Sequence, residues 1–197
     1  LWGIFFIPTA PFFMGELIDV HRIHMLLGKY GGKLIADNIR KIITDDMLSH
    51  QHIEEFHSDT YKNQNNDSST NYAKRLLNYF IDYKYRPIIL DQLMFQYYPD
   101  ENDLVTDFYM TKIELSEIYQ SGMLLGSHSV NHPVMSKLSI DEQKKEITDS
   151  FTFIETIIGS SSFKSFCYPY GGFHSFSSQT EKLLNDNGCV CSFNVES

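Results

Sequence analysis

The chain is short of cysteine, short of basic charge and without a long apolar run, and each shortage closes off a class of function. Its 197 residues hold 16 Lys and Arg against 25 Asp and Glu, a formal net charge of −9. No Lys/Arg stripe exists to displace counterions from phosphates, so no nucleic acid is expected as a partner. The three cysteines, Cys167, Cys189 and Cys191, are odd in number, and the Cys189-x-Cys191 spacing does not suit a secreted disulfide framework. They read as reduced thiols, which leans towards a cytoplasmic protein. The apolar opening Leu1-Trp2-Gly3-Ile4-Phe5-Phe6-Ile7 is stopped by Pro8. It is too short to span a bilayer and has no basic flank or small-residue cleavage site, so no transmembrane segment is expected. A Gly-rich phosphate loop, a Ser nucleophile elbow and a Cys/His protease context are missing too.

What is present is a core-forming α/β pattern. Apolar residues make up 42% of the chain, with 15 Phe and 12 Tyr, enough for the core of one domain and for sugar-stacking surfaces. Residues 3–8, 123–128, 163–168 and 189–195 read as strands. Helical spacing runs through 18–27, with Gly28 as a stop, then through 35–56, 72–83, 90–98, 113–119, 142–158 and 177–187. Residues 61–70 read as a polar loop. Ser139 is a helix N-cap followed by acidic first-turn residues, and Gly188 a C-cap. Both ends of the chain fall in core-like strands, so the expectation is a domain cut short at both ends.

Two segments carry chemistry. In Gly126-Ser127-His128-Ser129-Val130-Asn131-His132-Pro133 a strand runs into a polar loop with two histidines four apart. Such a loop can turn both imidazoles onto one zinc or another divalent metal, which would still need a third protein ligand and an open position. Capping or hydrogen-bonded loop histidines are the plainer alternative. Pro133 would start the next helix. In Phe166-Cys167-Tyr168-Pro169-Tyr170-Gly171-Gly172 a strand ends in a constrained turn whose backbone N–H groups can serve as an oxyanion hole. An ordinary Pro/Gly turn is the other possibility.

In this order, the two segments resemble the polysaccharide deacetylase family (NodB homology, carbohydrate esterase family four). The resemblance is loose over residues 3–8 and close over 115–195. It implies a distorted (β/α)7-type barrel, incomplete in this chain, that removes acetyl groups from sugars by C–N amide or ester hydrolysis. It assigns the metal to His128 and His132, the oxyanion to the Tyr170 backbone N–H, and the groove wall to Pro169 and Gly171. Cys167 stands where many members carry arginine, as in a subgroup that lacks it. The family's Asp-Asp pair, which supplies the base and a third metal ligand, would precede Leu1. Its late histidine acid would follow Ser197. The long separation between the first strand and His128 implies a large helical insertion, about residues 14–107, acting as a lid or a substrate-recognition element. The pattern also resembles deacetylase-like proteins of surface-polysaccharide gene clusters.

Rival readings stand beside this one. Asp19, His21 and His24 offer ligand types but share no helix face. His50, Glu54 and His57 do share one, with a solvated polar face as the plainer account. His174 is either a groove residue or a surface loop histidine. The functional alternatives are a non-catalytic relative that binds an acetylated glycan, and a metal amidohydrolase with a non-sugar substrate. Oligomeric state is not legible.

Overall fold

The computed structural model describes residues 2–49, 54, 56, 60–61, 64–160 and 163–195. His50 and His57 of the rival helix face lie outside these residues. The described elements are, in order, β1 (Ile4–Ile7), α1 (Pro11–Met14), α2 (Asp19–Tyr30), α3 (Gly32–Ile42), α4 (Ser68–Arg75), α5 (Arg86–Tyr97), α6 (Asn102–Phe108), α7 (Lys112–Gln120), β2 (Leu124–Ser127), α8 (Ile140–Ile158), β3 (Lys164–Cys167), α9 (Ser178–Asp186) and β4 (Cys189–Phe193). They divide into two compact units, Leu1–Glu16 with Asn102–Ser197, and Leu17–Glu101.

The first unit is built on a four-stranded sheet in the order β1-β2-β3-β4, with every pair parallel. Parallel neighbours cannot be joined by a tight turn and need crossovers, which α8 supplies between β2 and β3 and α9 between β3 and β4. The register pairs Ile4 with Leu124 and Ile7 with Ser127, so β1 and β2 end level with one another. Two apolar clusters pin α8 to the sheet. Phe153 and Ile154 pack with Ile7, Leu115 and Leu125. Ile147 and Phe151 pack with Met135, Phe166, Tyr168 and Leu184. The buried positions 147, 150, 151 and 154 recur at helical spacing, which is why this stretch folds as a helix with one face inward. Its start is fixed by a reciprocal cap, with the Glu142 N–H donating to the Ser139 hydroxyl and the Ser139 N–H to the Glu142 carboxylate. Such a box stabilises a helix by about 1 kcal/mol. The Ser139 hydroxyl and N–H hold the Glu142 carboxyl below the usual carboxylate range.

Gly126 has a role beyond entering the loop. A Cβ there would sit 2.5 Å from the Phe6 ring and 2.6 Å from Ser165 Oγ, so β2 passes close to its neighbours only because this side chain is missing.

The second unit is helical. Gly28 does not stop the second helix: α2 runs through it to Tyr30 and turns at Gly31, whose φ is 78°. The buried face through Ile23, Leu26 and Leu27 outweighs the roughly 1 kcal/mol that an interior glycine costs. The end of the polar stretch 61–70 is also helix. Asp67 caps α4 by accepting from the N–H groups of Ser69 and Thr70, so its polar residues mark a helix start. Gly32 meets the Thr70 backbone so closely that a Cβ would overlap it. Arg22 is buried and paired with Glu101 at 2.7 Å and Asp91 at 3.1 Å, while Arg86 pairs with Asp19 at 3.3 Å.

Candidate active site

The site grows from the C-terminal ends of β2 and β3. Ser127, fully buried at the end of β2, is tied into α8 by a chain of hydroxyls: Ser150 donates to the Ile147 carbonyl, and Ser127 and Ser150 lie 2.6 Å apart. The main chain continues the ladder for one residue, His128 N–H to the Ile7 carbonyl at 3.0 Å, and then leaves the sheet.

His128 is aimed by the neighbouring strand. Its Nδ1 lies 2.7 Å from the Cys167 carbonyl oxygen, which can only accept. Nδ1 therefore carries the proton and Nε2 the lone pair, the tautomer in which metal-binding histidines are held by a second partner. Burial pulls the imidazole below its usual pKa, opposed by that carbonyl, so the ring is neutral at neutral pH.

The loop then turns through two left-handed residues that are not glycine, Ser129 at φ 64° and His132 at φ 56°. Each such position costs about 1–2 kcal/mol and needs surrounding contacts to hold it. They are supplied densely. The Ser129 N–H donates to Ser127 Oγ at 3.1 Å and the His132 N–H to Ser129 Oγ at 3.0 Å. The Val130 and Asn131 N–H groups converge on Glu146 Oε2 at 2.8 and 2.9 Å, and Asn131 Nδ2 donates to Oε1 at 2.6 Å. From the other side, the Thr9 and Ala10 N–H groups donate to the Ser129 and Val130 carbonyls. The result brings the His128 and His132 rings together, their centroids 4.5 Å apart at 79°. Pro133 does not open a helix. Met135–Lys137 forms a single 3-10 turn and α8 begins only at Ile140, because the chain is still committed to the loop.

β3 delivers the second segment beside the first. Tyr170 and Gly171 follow Pro169 with φ of 65° and 67°. The turn is closed by the Gly172 N–H on the Tyr170 carbonyl, the Ser175 N–H on the Gly172 carbonyl and the Val195 N–H on the Gly171 carbonyl. A Cβ on Gly171 would come within 2.7 Å of the Val195 side chain, so glycine is required for both space and dihedral angle. The Tyr170 ring lies 5.0 Å from the His132 ring. Four of the residues singled out by sequence, His128, His132, Tyr170 and Gly171, thus share one small region.

The other candidates have surroundings of their own. His174 lies against Gly172, where a Cβ would strike its ring, and its carbonyl accepts from Ser136 Oγ at 2.7 Å. Asp19 is taken up by Arg86 and Arg22. Among the described residues no cluster of three or more His, Cys, Asp or Glu is placed to hold a metal. The imidazole pair fits two positions of a metal site, as neutral nitrogen donors with one tautomer already fixed, and supplies no third. The three cysteines are free thiols, and burial raises the pKa of Cys167.

Sequence reasoning passed over Glu146, Ser127, Ser129 and Ser150. One signal was available: Glu146 falls on the same helical stripe as Ile147, Ser150 and Ile154, and a carboxylate on a buried stripe needs donors.

The stretch that carries both loops is also the one that known proteins match. A family model for polysaccharide deacetylase matches residues 95–191. Over this segment, just under half of its length, the chain is similar to the polysaccharide deacetylase family. Among solved structures, a deacetylase PplD of Streptococcus pyogenes in complex with acetate is 21% identical, with a TM-score of 0.36, over 53% of this chain and 46% of that one. The chain spans less than half the length of that protein. No curated protein matches it. The chain is an α/β protein with a four-stranded parallel sheet, and no helix among the described residues is long and apolar enough to cross a membrane.

Proposed function

We propose that this chain is a polysaccharide deacetylase family member and hydrolyses the acetyl group of an acetylated sugar or polysaccharide with a divalent metal, zinc or one like it. The observation that carries this reading is the paired imidazoles, with the His128 lone pair left on Nε2 by the Cys167 carbonyl. His128 and His132 would hold the metal, which supplies Lewis acidity towards the acetyl carbonyl. The Tyr170 backbone N–H would donate to the oxygen on which charge develops, at a turn fixed by Pro169 and Gly171. The family's aspartate pair and late histidine, its base and acid, have no counterparts assigned among the described residues. The barrel reading belongs to this proposal as well: the four parallel strands form part of a distorted (β/α)7-type barrel, with a helical insertion at about residues 14–107. A cytoplasmic location goes with the free thiols.

The test is zinc content and acetate release from an acetylated glucosamine oligomer by the full-length protein. His128→Ala and His132→Ala should each lower bound zinc and remove turnover. Unchanged zinc in both variants would end the metal reading. Glycan binding without acetate release would favour a non-catalytic relative, and release from a small non-sugar amide alone would favour an amidohydrolase.

A further inference from the structure

We infer that Glu146 is a positioning residue for the histidine pair, acting through two of the three residues between them, Val130 and Asn131. The inference rests on the reading that His128 and His132 hold a divalent ion. Glu146 sits in the N-terminal half of α8, on the turn just before the apolar stripe that fixes this helix to the sheet, and is itself buried. Its carboxylate receives three N–H donors from the loop, and all three belong to Val130 and Asn131, the residues midway between the histidines. Those donors leave no lone pair pattern for a neutral, loosely placed side chain to reproduce: Oε2 takes two main-chain N–H groups and Oε1 takes the Asn131 amide.

The geometry explains why a carboxylate is needed here. Ser129 and His132 both adopt left-handed backbone, so the segment between them cannot relax into helix or strand and offers its N–H groups inward. A buried carboxylate is costly unless its oxygens are filled, and the loop fills them. The two halves stabilise one another. Because Ile147 and Phe151 anchor the same helix in the core, the carboxylate is a fixed post against which the His128–His132 spacing is set. Partners that orient metal ligands in this way typically contribute ten- to a hundredfold to metal affinity.

The experiment measures zinc affinity of the full-length protein by chelator competition, beside the melting temperature of the metal-free form. Glu146→Ala should weaken zinc about 10–100-fold. Glu146→Asp keeps the charge but withdraws it by one methylene, and should lose about tenfold with the fold retained. Glu146→Gln keeps one oxygen for the Val130 and Asn131 N–H groups but sets a donor against the Asn131 amide, and should lose affinity by less than Glu146→Ala. Glu142→Ala removes a carboxylate from the first turn of the same helix. It should lower the melting temperature and leave zinc affinity unchanged. Wild-type affinity in both the Ala and Asp variants would overturn the inference, as would a loss in Glu142→Ala equal to that in Glu146→Ala. If zinc were lost in His128→Ala but kept in the Glu146 variants, the metal reading would stand and Glu146 would have no part in it. If the wild-type protein took up no zinc, both would fall.

Discussion

His128 Nδ1 and the carbonyl oxygen of Cys167 lie 2.7 Å apart, a bond across 39 residues of sequence that joins the two loops of the site. It does more than connect them. It uses the backbone of the strand that carries the Pro-Tyr-Gly turn to decide which nitrogen of His128 is available. The acceptor is main chain, so the bond does not depend on the side chain at position 167.

The turn after β3 separates a role for the Tyr170 main chain from a role for its phenol. Tyr170→Phe preserves the ring that packs against His132 and the main-chain N–H, and should keep most turnover. Gly171→Ala puts a Cβ within 2.7 Å of Val195 at a φ of +67°, and should cost on the order of a hundredfold in kcat by displacing that N–H. Acetate-release kinetics decide it. Loss of turnover in Tyr170→Phe with the fold intact would mean that the phenol acts directly.

Gly126 and Ser165 are predicted to be coupled. Gly126→Ala forces a methyl against the Phe6 ring and Ser165 Oγ, and should destabilise by about 1–3 kcal/mol. Ser165 Oγ is buried without a hydrogen-bond partner among the described residues. Ser165→Ala should therefore be neutral or stabilising, by up to about 1 kcal/mol. Combined, the second change should recover part of the first, because it removes one of the atoms in the way. Denaturant melts of the four proteins test this, and strict additivity would contradict it.

Burial pushes the Cys189 thiol up to about 11 from an ordinary 9.0, with its Sγ donating to the Cys191 carbonyl at 3.2 Å. At pH 8 the thiolate fraction is then about a hundredfold below that of an unperturbed thiol, and alkylation at Cys189 should be slower to that extent. Between pH 9 and 11 the folded chain retains a proton that the unfolded chain gives up, so this group's contribution to stability is present below pH 9 and lost as pH rises through 11. Peptide-resolved alkylation rates check the first part. Alkylation of Cys189 at the rate of a small free thiol would refute it.

Much of the strand and helix order was legible because each element repeats a local pattern. The strands at 124–127 and 164–167 fall inside the expected spans, and the Ser139 cap sits where its sequence places it. The misreadings share a cause. Gly28 and the polar residues Ser68–Thr70 are ambiguous locally, and were decided by packing: a buried leucine face in one case, a close approach of Gly32 to Thr70 in the other.

The same division holds at the site. The sequence alone determined which residues could do the chemistry, since two histidines in a strand-exit loop and a Pro-Tyr-Gly-Gly turn announce themselves by type and spacing. Tertiary structure alone decided that they meet, which nitrogen of His128 is left available, and that Glu146 holds the loop between them. Those facts depend on β2 lying beside β3 in a parallel sheet and on the register of α8 against it. Hydrogen bonds between distant segments leave no periodicity in the chain, so only the packed sheet and helix could supply them.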